Sequence, residues 1–592
     1  MKCLLAAINA KYIHSNPAVY SLKAYAEKAA KEGWGARGIQ VEFAEYTINH
    51  RAAEILDDIY MKEADILCFS CYIWNIEYVK TLVKNLKQLN PAVPIWLGGP
   101  EVSFACEERL AEIPEADGIL YGEGERSFPE LLRFYEDFYE KKDGNCRGLQ
   151  RKDTDSYKLP RGFACRGEGG EIIITPPQDF VDMDEIPFYY KTMWGKAVQG
   201  IGEPDTGTRI IYYESSRGCP FSCSYCLSSV DKRLRFRSLA MVYEELGFFL
   251  EKRVPQVKFV DRTFNCRKSR AMAIWTFLRD HDNGVTNFHF EIGADLLDEE
   301  AFTLFETMRP GLIQLEIGVQ SANQETLKAI HRTVDMEKLR TAVMEVGRGK
   351  NIRRHLDLIA GLPFEDYESF GRSFDEVYSM GPDELQLGFL KVLKGTPMYA
   401  DAARYHIVYQ TEAPFEVLKT RWLSHEDVIH LKQVENMVEI YYNSRQFLFS
   451  IKLLLSWFGR PFLMYEALGR EYVRKAMEKR KHVRAELYEF LLDYVKEHFS
   501  AKEEQFRQSL TLDYYLRENA KKRPGFAIPL EPYRDAMRKR LGGRFPDIPM
   551  KQLLKDYHVE VFEPPFSEGR EYWLFDYGNR DALTGNAAVI RL

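Results

Sequence analysis

Arg217-Gly218-Cys219-Pro220-Phe221-Ser222-Cys223-Ser224-Tyr225-Cys226 is the stretch on which the reading of this chain turns. Three thiolates on one short loop can hold three irons of a [4Fe–4S] cluster and leave the fourth iron open to a substrate or cofactor. A cluster that only carries electrons takes four cysteines, and a structural zinc takes four protein ligands. The missing fourth ligand therefore points to chemistry at the open iron.

Outward from that loop, residues 206–400 alternate strand and helix. Strands are expected at 209–214, 257–260, 288–292, 312–317, 354–359 and 384–390. Strand–helix units in this number suggest a full or partial barrel with its chemistry at the carboxyl ends of the strands. The cysteine loop follows the first of them. Upstream, residues 1–141 alternate in the same way, with buried strands expected at 2–8, 41–46, 65–70, 95–97 and 118–121 and helices at 18–31 and 76–89. That pattern predicts a doubly wound parallel sheet, whose ligand crevice lies beyond the carboxyl ends of its strands. Ser70, Gly98, Gly99, Gly122 and Gly124 fall on those loops, and glycine there lets the backbone approach a ligand.

Residues 142–205 read as an irregular connector, and 401–592 as a mainly helical domain with an aromatic-rich segment at 438–458 and an amphipathic one at 472–496. Two strands are expected near the end, at 572–577 and 587–591, with Gly578-Asn579 in the turn between them. There is no internal repeat.

Length and charge narrow the function classes. A chain of 592 residues exceeds one hydrophobic core. A net charge of −7 gives no global attraction to nucleic acid or to an anionic membrane, so neither is expected as a partner. The basic runs at 479–482, 521–523 and 538–540 are interleaved with acidic residues and read as solvated helix faces. Ten cysteines do not make a disulfide scaffold at this length, and cluster ligation demands a reducing compartment. The opening run Met1-Lys2-Cys3-Leu4-Leu5-Ala6-Ala7-Ile8 is short, lacks a cleavage pattern and is broken by Asn9 and Lys11, so it reads as a buried strand rather than a signal peptide. No stretch reaches membrane-spanning length, and a cytoplasmic location is expected.

With Tyr225 before its last cysteine, the Cys219-x3-Cys223-x2-Cys226 loop resembles the signature of radical S-adenosylmethionine (SAM) enzymes. The resemblance continues through Asp261-Arg262-Thr263, Glu291-Ile292-Gly293, Glu316-Ile317-Gly318-Val319-Gln320, His331-Arg332, Leu356-Asp357-Leu358-Ile359 and Leu393-Lys394-Gly395-Thr396-Pro397. It implies that Cys219, Cys223 and Cys226 hold the cluster. It further implies SAM contacts from Glu291, Gln320 and Asp357, an Arg332 contact to the SAM carboxylate, and Tyr225 on the adenine side. Residues 1–141 resemble the cobalamin-binding domain fused ahead of many such enzymes, although the Asp-x-His-x-x-Gly motif of the histidine-ligating type is absent and only His14 stands in the corresponding loop. The last ~190 residues resemble a domain of unknown function found behind this pair.

The resemblance implies an enzyme that cleaves SAM reductively to a 5′-deoxyadenosyl radical and methylates an unactivated carbon. A flavodoxin or ferredoxin would serve as reductant, and the substrate is not legible. Three other readings stay open: a cobalamin-assisted rearrangement or cyclisation, an RNA methylthiotransferase-like activity, and a non-catalytic SAM- or cobalamin-responsive regulator. Cys3, Cys68, Cys71 and Cys106 do not match the methylthiotransferase arrangement of a second cluster, and Cys266 reads as a packed cysteine.

Overall fold

The computed structural model describes residues 1–140, 159–167, 170–199, 209–520, 522–581 and 583–592. They fall into two units: 1–296 with 330–333 and 390–418, and 297–329 with 334–389 and 419–592.

The first unit opens with β1 (Lys2–Asn9), β2 (Gln40–Thr47), β3 (Ile66–Ser70), β4 (Ile95–Gly98) and β5 (Gly118–Leu120). These strands are parallel in the order β2-β1-β3-β4-β5. β1 is buried along almost its whole length, which is why it reads as an unbroken apolar run rather than as an alternation. Helix Pro17–Glu32 starts with the Asn16 side chain accepting the Val19 N–H and stops at Gly33, whose positive φ closes the last turn. The order of the strands reverses between β1 and β3, and their loops face the crevice expected of such sheets.

The connector is not irregular throughout. β6 (Phe163–Arg166) and β7 (Ile172–Ile174) add an antiparallel hairpin to the edge of the sheet beside β5, and a helix spans Tyr189–Gln199. Strands of three and four residues are too short to show a period, and the glycines around their turn masked them. The boundaries expected at 141/142 and 205/206 lie outside the described residues.

The chain then enters β8 (Ile211–Tyr213). A short antiparallel ladder, β9 (Ser216–Arg217) with β10 (Arg235–Phe236), brackets the cysteine loop. β11 (Gln256–Phe259) pairs in parallel with β8 and with β12 (Asn287–Ile292). Residues 390–418 return to this unit. There the Lys394 ammonium lies 2.8 Å from Glu108 and 3.4 Å from Glu112, and the Met398 N–H donates to the Ser224 carbonyl at 2.9 Å.

The second unit holds β13 (Ile313–Gln320), β14 (Arg353–Ala360) and β15 (Glu384–Phe389), parallel and adjacent in that order. Six parallel strands thus appear where strand–helix repeats were expected. The carboxyl-terminal part is helical as expected, but both segments singled out there are interrupted. Helix His425–Val438 passes through a wide turn at Glu439–Asn443 before Leu448–Leu455, and Pro461–Arg474 is separate from Arg484–His498. Ala476 takes a positive φ, and the basic run 479–482 lies in the break, with the His482 ring donating to the Met477 carbonyl. The buried Asp513 carboxylate accepts the Phe449 and Ser450 N–H groups and caps Leu448–Leu455.

The chain ends in a three-stranded antiparallel sheet, Tyr557–Phe562, Glu571–Arg580 and Ala587–Arg591. Its first strand was not expected, and Gly578-Asn579 belongs to the middle strand rather than to the turn. The basic runs are partly spent inside the chain: Arg480 pairs with Glu486, and Arg523 with the fully buried Glu560. Among the described residues no helix is long and apolar enough to cross a membrane.

Candidate active site

The cysteine loop is fastened at every turn. Gly218 has a φ of 90°, and a Cβ on it would meet the Arg233 carbonyl at 2.2 Å, so only glycine fits before Cys219. The Cys219 N–H donates to the Asp231 carbonyl at 3.0 Å, and the Ser224 N–H to Ile330 at 2.9 Å. The Ser229 hydroxyl donates to the carbonyls of Cys223 and Cys226. Below the loop, the buried Asp261 carboxylate accepts from the Ser215 N–H and from the hydroxyls of Ser215 and Ser216. Burial pushes its pKa up to about 6 against those three bonds.

The donor set fits an iron–sulfur cluster. The three thiols are free and lie on one loop, with Cys219 and Cys223 buried and Cys226 partly exposed. Burial raises the Cys219 thiol, while the Phe221 N–H and the Thr263 side chain favour its thiolate. The Arg332 guanidinium donates to the Cys223 sulfur at 3.7 Å, so its positive charge sits where thiolates need it. Tyr225 is held in the same cluster of groups, its phenol raised by burial.

The structure brings Tyr225 and Arg332 to the cysteines. Glu291, at the end of β12, meets Arg262 at 2.6 Å instead of standing alone. Gln320 and Asp357 lie in the second unit. Gln320 follows a register shift at the end of β13, has a φ of 74°, and its buried Oε1 has no hydrogen-bond partner among the described residues. Such an orphaned acceptor fits a polar ligand. Asp357, on β14, lies 3.0 Å from the His355 ring.

Cys3, Cys68, Cys71 and Cys106 are buried in the first unit, whereas Cys266 is half-buried. Cys68-Phe69-Ser70-Cys71 is a second Cys-x-x-Cys in spacing, but it is not a ligand pair. Cys68 faces Cys3 at 3.9 Å inside the sheet, and Cys71 is fully buried with its thiol pushed up to about 12 by burial. Cys106 is buried and donates to the Val102 carbonyl.

A cavity of about 640 Å³ lies beyond the carboxyl ends of β1, β3, β4 and β5. Ser70, Gly98, Gly99, Gly122 and Gly124 all line it. Gly99, at a φ of 108°, packs so closely on Cys71 that a Cβ would meet its carbonyl oxygen at 2.6 Å. Gly122, at a φ of 81°, has nothing within 4 Å of where a Cβ would stand. The first glycine fixes the loop, and the second leaves room beside the backbone.

The remaining wall is mostly apolar and aromatic, including Trp74, which stacks on Tyr72 at 4.4 Å, and Tyr189. A glycine edge with a mostly apolar, aromatic wall and some charged groups fits a large ring cofactor with polar substituents. His14 lines the cavity with one ring nitrogen bound to the Tyr212 hydroxyl at 2.6 Å. Neither the aromatic wall nor Tyr212 was marked in the sequence, because aromatic residues near strand ends look the same in a core.

Family models match residues 4–132 as a B12 binding domain, 213–377 as the radical SAM superfamily, and 403–571 as a protein of unknown function, DUF4080. The chain thus carries a B12 binding domain followed by a radical SAM domain. The cofactors of these domains are a [4Fe–4S] cluster, SAM and cobalamin.

Among curated relatives, it is 25% identical over 372 residues to the 2-(S-pantetheinyl)-carbapenam-3-carboxylate methyltransferase of Streptantibioticus cattleyicolor, covering 61% of this chain and 51% of the relative. It is 24% identical over 313 residues to the anaerobic magnesium-protoporphyrin IX monomethyl ester cyclase of Rubrivivax gelatinosus, covering 50% and 51%. The chain thus spans about half the length of these two relatives. The structure of the cobalamin-dependent SAM radical enzyme OxsB with aqua-cobalamin and SAM bound aligns with a TM-score of 0.54 at 15% identity, over 94% of this chain and 84% of that one. The chain shares that fold.

Proposed function

We propose that this chain is a cobalamin-dependent radical SAM enzyme that methylates an unactivated carbon. The observation that carries the reading is the occurrence, in one unit, of a three-thiol loop and a glycine-edged apolar cavity. When bound, the cluster and SAM supply a radical able to abstract hydrogen, and cobalamin supplies a methyl carrier.

The chain's residues bind and orient those groups. Cys219, Cys223 and Cys226 would hold three irons and leave the fourth for the SAM amine and carboxylate. Arg332, beside Cys223, would serve the SAM carboxylate as well as the thiolates. Glu291, Gln320 and Asp357 would supply polar contacts to SAM, and Tyr225 its adenine side. Ser70, Gly98, Gly99, Gly122 and Gly124 would receive the corrin by backbone contact, with Trp74 against it.

The methyltransferase relative supports methyl transfer. The cyclase relative favours a second reading, a cobalamin-assisted ring closure without methyl transfer. The deciding experiment gives anaerobically reconstituted protein SAM and a strong reductant, with and without cobalamin, and quantifies the products by mass spectrometry. Methyl transfer predicts 5′-deoxyadenosine together with S-adenosylhomocysteine that forms only when cobalamin is present. Deoxyadenosine alone would move the reading to ring closure, and the absence of both would overturn the radical reading.

A further inference from the structure

Two carboxylates of the glycine loop that edges the cavity lead straight to the first cluster cysteine. The buried Glu125 takes the Arg217 guanidinium at 2.6 and 3.2 Å, and the Ser21 hydroxyl donates to it at 3.0 Å. Arg217 is also paired with Glu214 at 2.8 Å and lies 3.5 Å from Glu123. It precedes Gly218-Cys219 directly.

A second path starts at Glu123, which holds Arg235 at 2.6 Å. Arg235 pairs with Asp231 at 2.8 Å, and the Asp231 carbonyl accepts the Cys219 N–H. Arg217 and Arg235 are themselves opposite each other in the β9–β10 ladder. Both paths end on one residue, the first through the buried Glu125 and the second through the partly exposed Asp231.

Three carboxylates converge on one guanidinium, and buried charges hold together only while every partner stays in place. Glu123 and Glu125, which supply two of those carboxylates, alternate with Gly122 and Gly124, and all four line the cavity together with Arg217. A ligand filling the cavity therefore meets this network directly.

We propose that Glu123 and Glu125, with Arg217 and Arg235, form a latch that couples filling of the cavity to the placement of Cys219. Glu123, Glu125 and Arg217 border the cavity, and toward the cluster all four are positioning residues that act through the cysteine. This rests on the reading that the cavity takes cobalamin and the cysteines take a cluster. By linkage, cluster loading must then tighten cobalamin binding by the same factor as cobalamin tightens retention of the cluster.

The test is an anaerobic titration of hydroxocobalamin into the full chain, with and without the reconstituted cluster, read by visible absorbance. The wild type is expected to bind about tenfold more tightly when the cluster is loaded, a typical coupling between two sites. Arg217→Gln should bring that ratio to within about twofold of one, and Arg217→Lys should restore only part of it, because an ammonium cannot replace a bidentate fork. A uniform loss of stability would leave the ratio between the two titrations unchanged. Should Arg217→Gln fail to fold, Glu123→Gln cuts one path and keeps the Glu125 pair, and it should lower the ratio by about threefold. A wild-type ratio of one, or a ratio that survives both substitutions, overturns the latch. No cobalamin binding to either form would instead overturn the reading of the cavity itself, and the latch with it.

Discussion

The cysteine loop and the cavity, two regions of the same unit, are made by opposite means. The loop is defined by what its side chains carry: three thiols, the Arg332 charge near Cys223, and the carboxylates around Arg217. The cavity is defined by what its residues lack. Gly99 lies where a side chain would strike Cys71, Gly122 leaves room where one would stand, and most of the wall beyond is apolar. A region made of functional groups fails when one group is removed, whereas a region made of shape fails when one is added.

The largest effect expected from that contrast is at Cys223→Ala. Bound iron should drop from about four per chain to a small residue, and 5′-deoxyadenosine production should vanish, as measured by iron assay and mass spectrometry on anaerobic protein. Retention of a full cluster would break the side-chain half of the comparison.

The cavity half is tested by adding one methyl group at two glycines. Gly99→Ala should cost about 3 kcal/mol or more in thermal or denaturant unfolding, since it combines a positive φ with a backbone collision. Gly122→Ala should cost only about 1 kcal/mol, because its methyl group meets no neighbour, yet it should weaken cobalamin binding about tenfold. Equal losses of stability, or unchanged cobalamin affinity at Gly122→Ala, would contradict the reading of the cavity as shape.

A smaller and pH-dependent effect sharpens the comparison in the second unit. Glu365 is fully buried after β14, where Oε1 accepts from Ser321 and Ser373 and Oε2 has no partner among the described residues. Burial pushes its carboxyl up from 4.5 to about 7, so the folded state holds a proton that the unfolded chain gives up. Its contribution to stability is therefore complete below about pH 4.5 and is lost as pH rises through about 7. Glu365→Gln keeps the Oε1 acceptor and carries no charge. Across that window its unfolding free energy should lose one source of pH dependence, leaving it on the order of 2 kcal/mol more stable than wild type at pH 8. Parallel pH profiles would show that the charge is not the fragile element there.

The same contrast explains what could be read in advance. Cys219, Cys223 and Cys226 announce themselves because thiols at that spacing have few other uses. The parallel strands were legible because strands buried on both faces leave long apolar runs, as β1 does. The cavity was legible only at its glycines. Trp74, Tyr189 and Tyr212 carry no signal that separates a cofactor wall from a core. The ion pairs of Arg217 were hidden for another reason: Glu125 is 92 residues away along the chain, and no spacing rule joins them. The hairpin of β6 and β7 was lost to its shortness, and the break between Pro461–Arg474 and Arg484–His498 to a periodicity that continues across it.

The return of residues 390–418 to the first unit bears on how the molecule is made. Met398 bonds the cysteine loop and Lys394 reaches Glu108 and Glu112, so the first unit is not complete until the chain has been synthesised past residue 418. Emerging from a ribosome amino terminus first, the three cysteines must wait through some two hundred further residues for their last supporting segment. Iron delivered before then would meet thiols whose loop is still missing one of its fastenings.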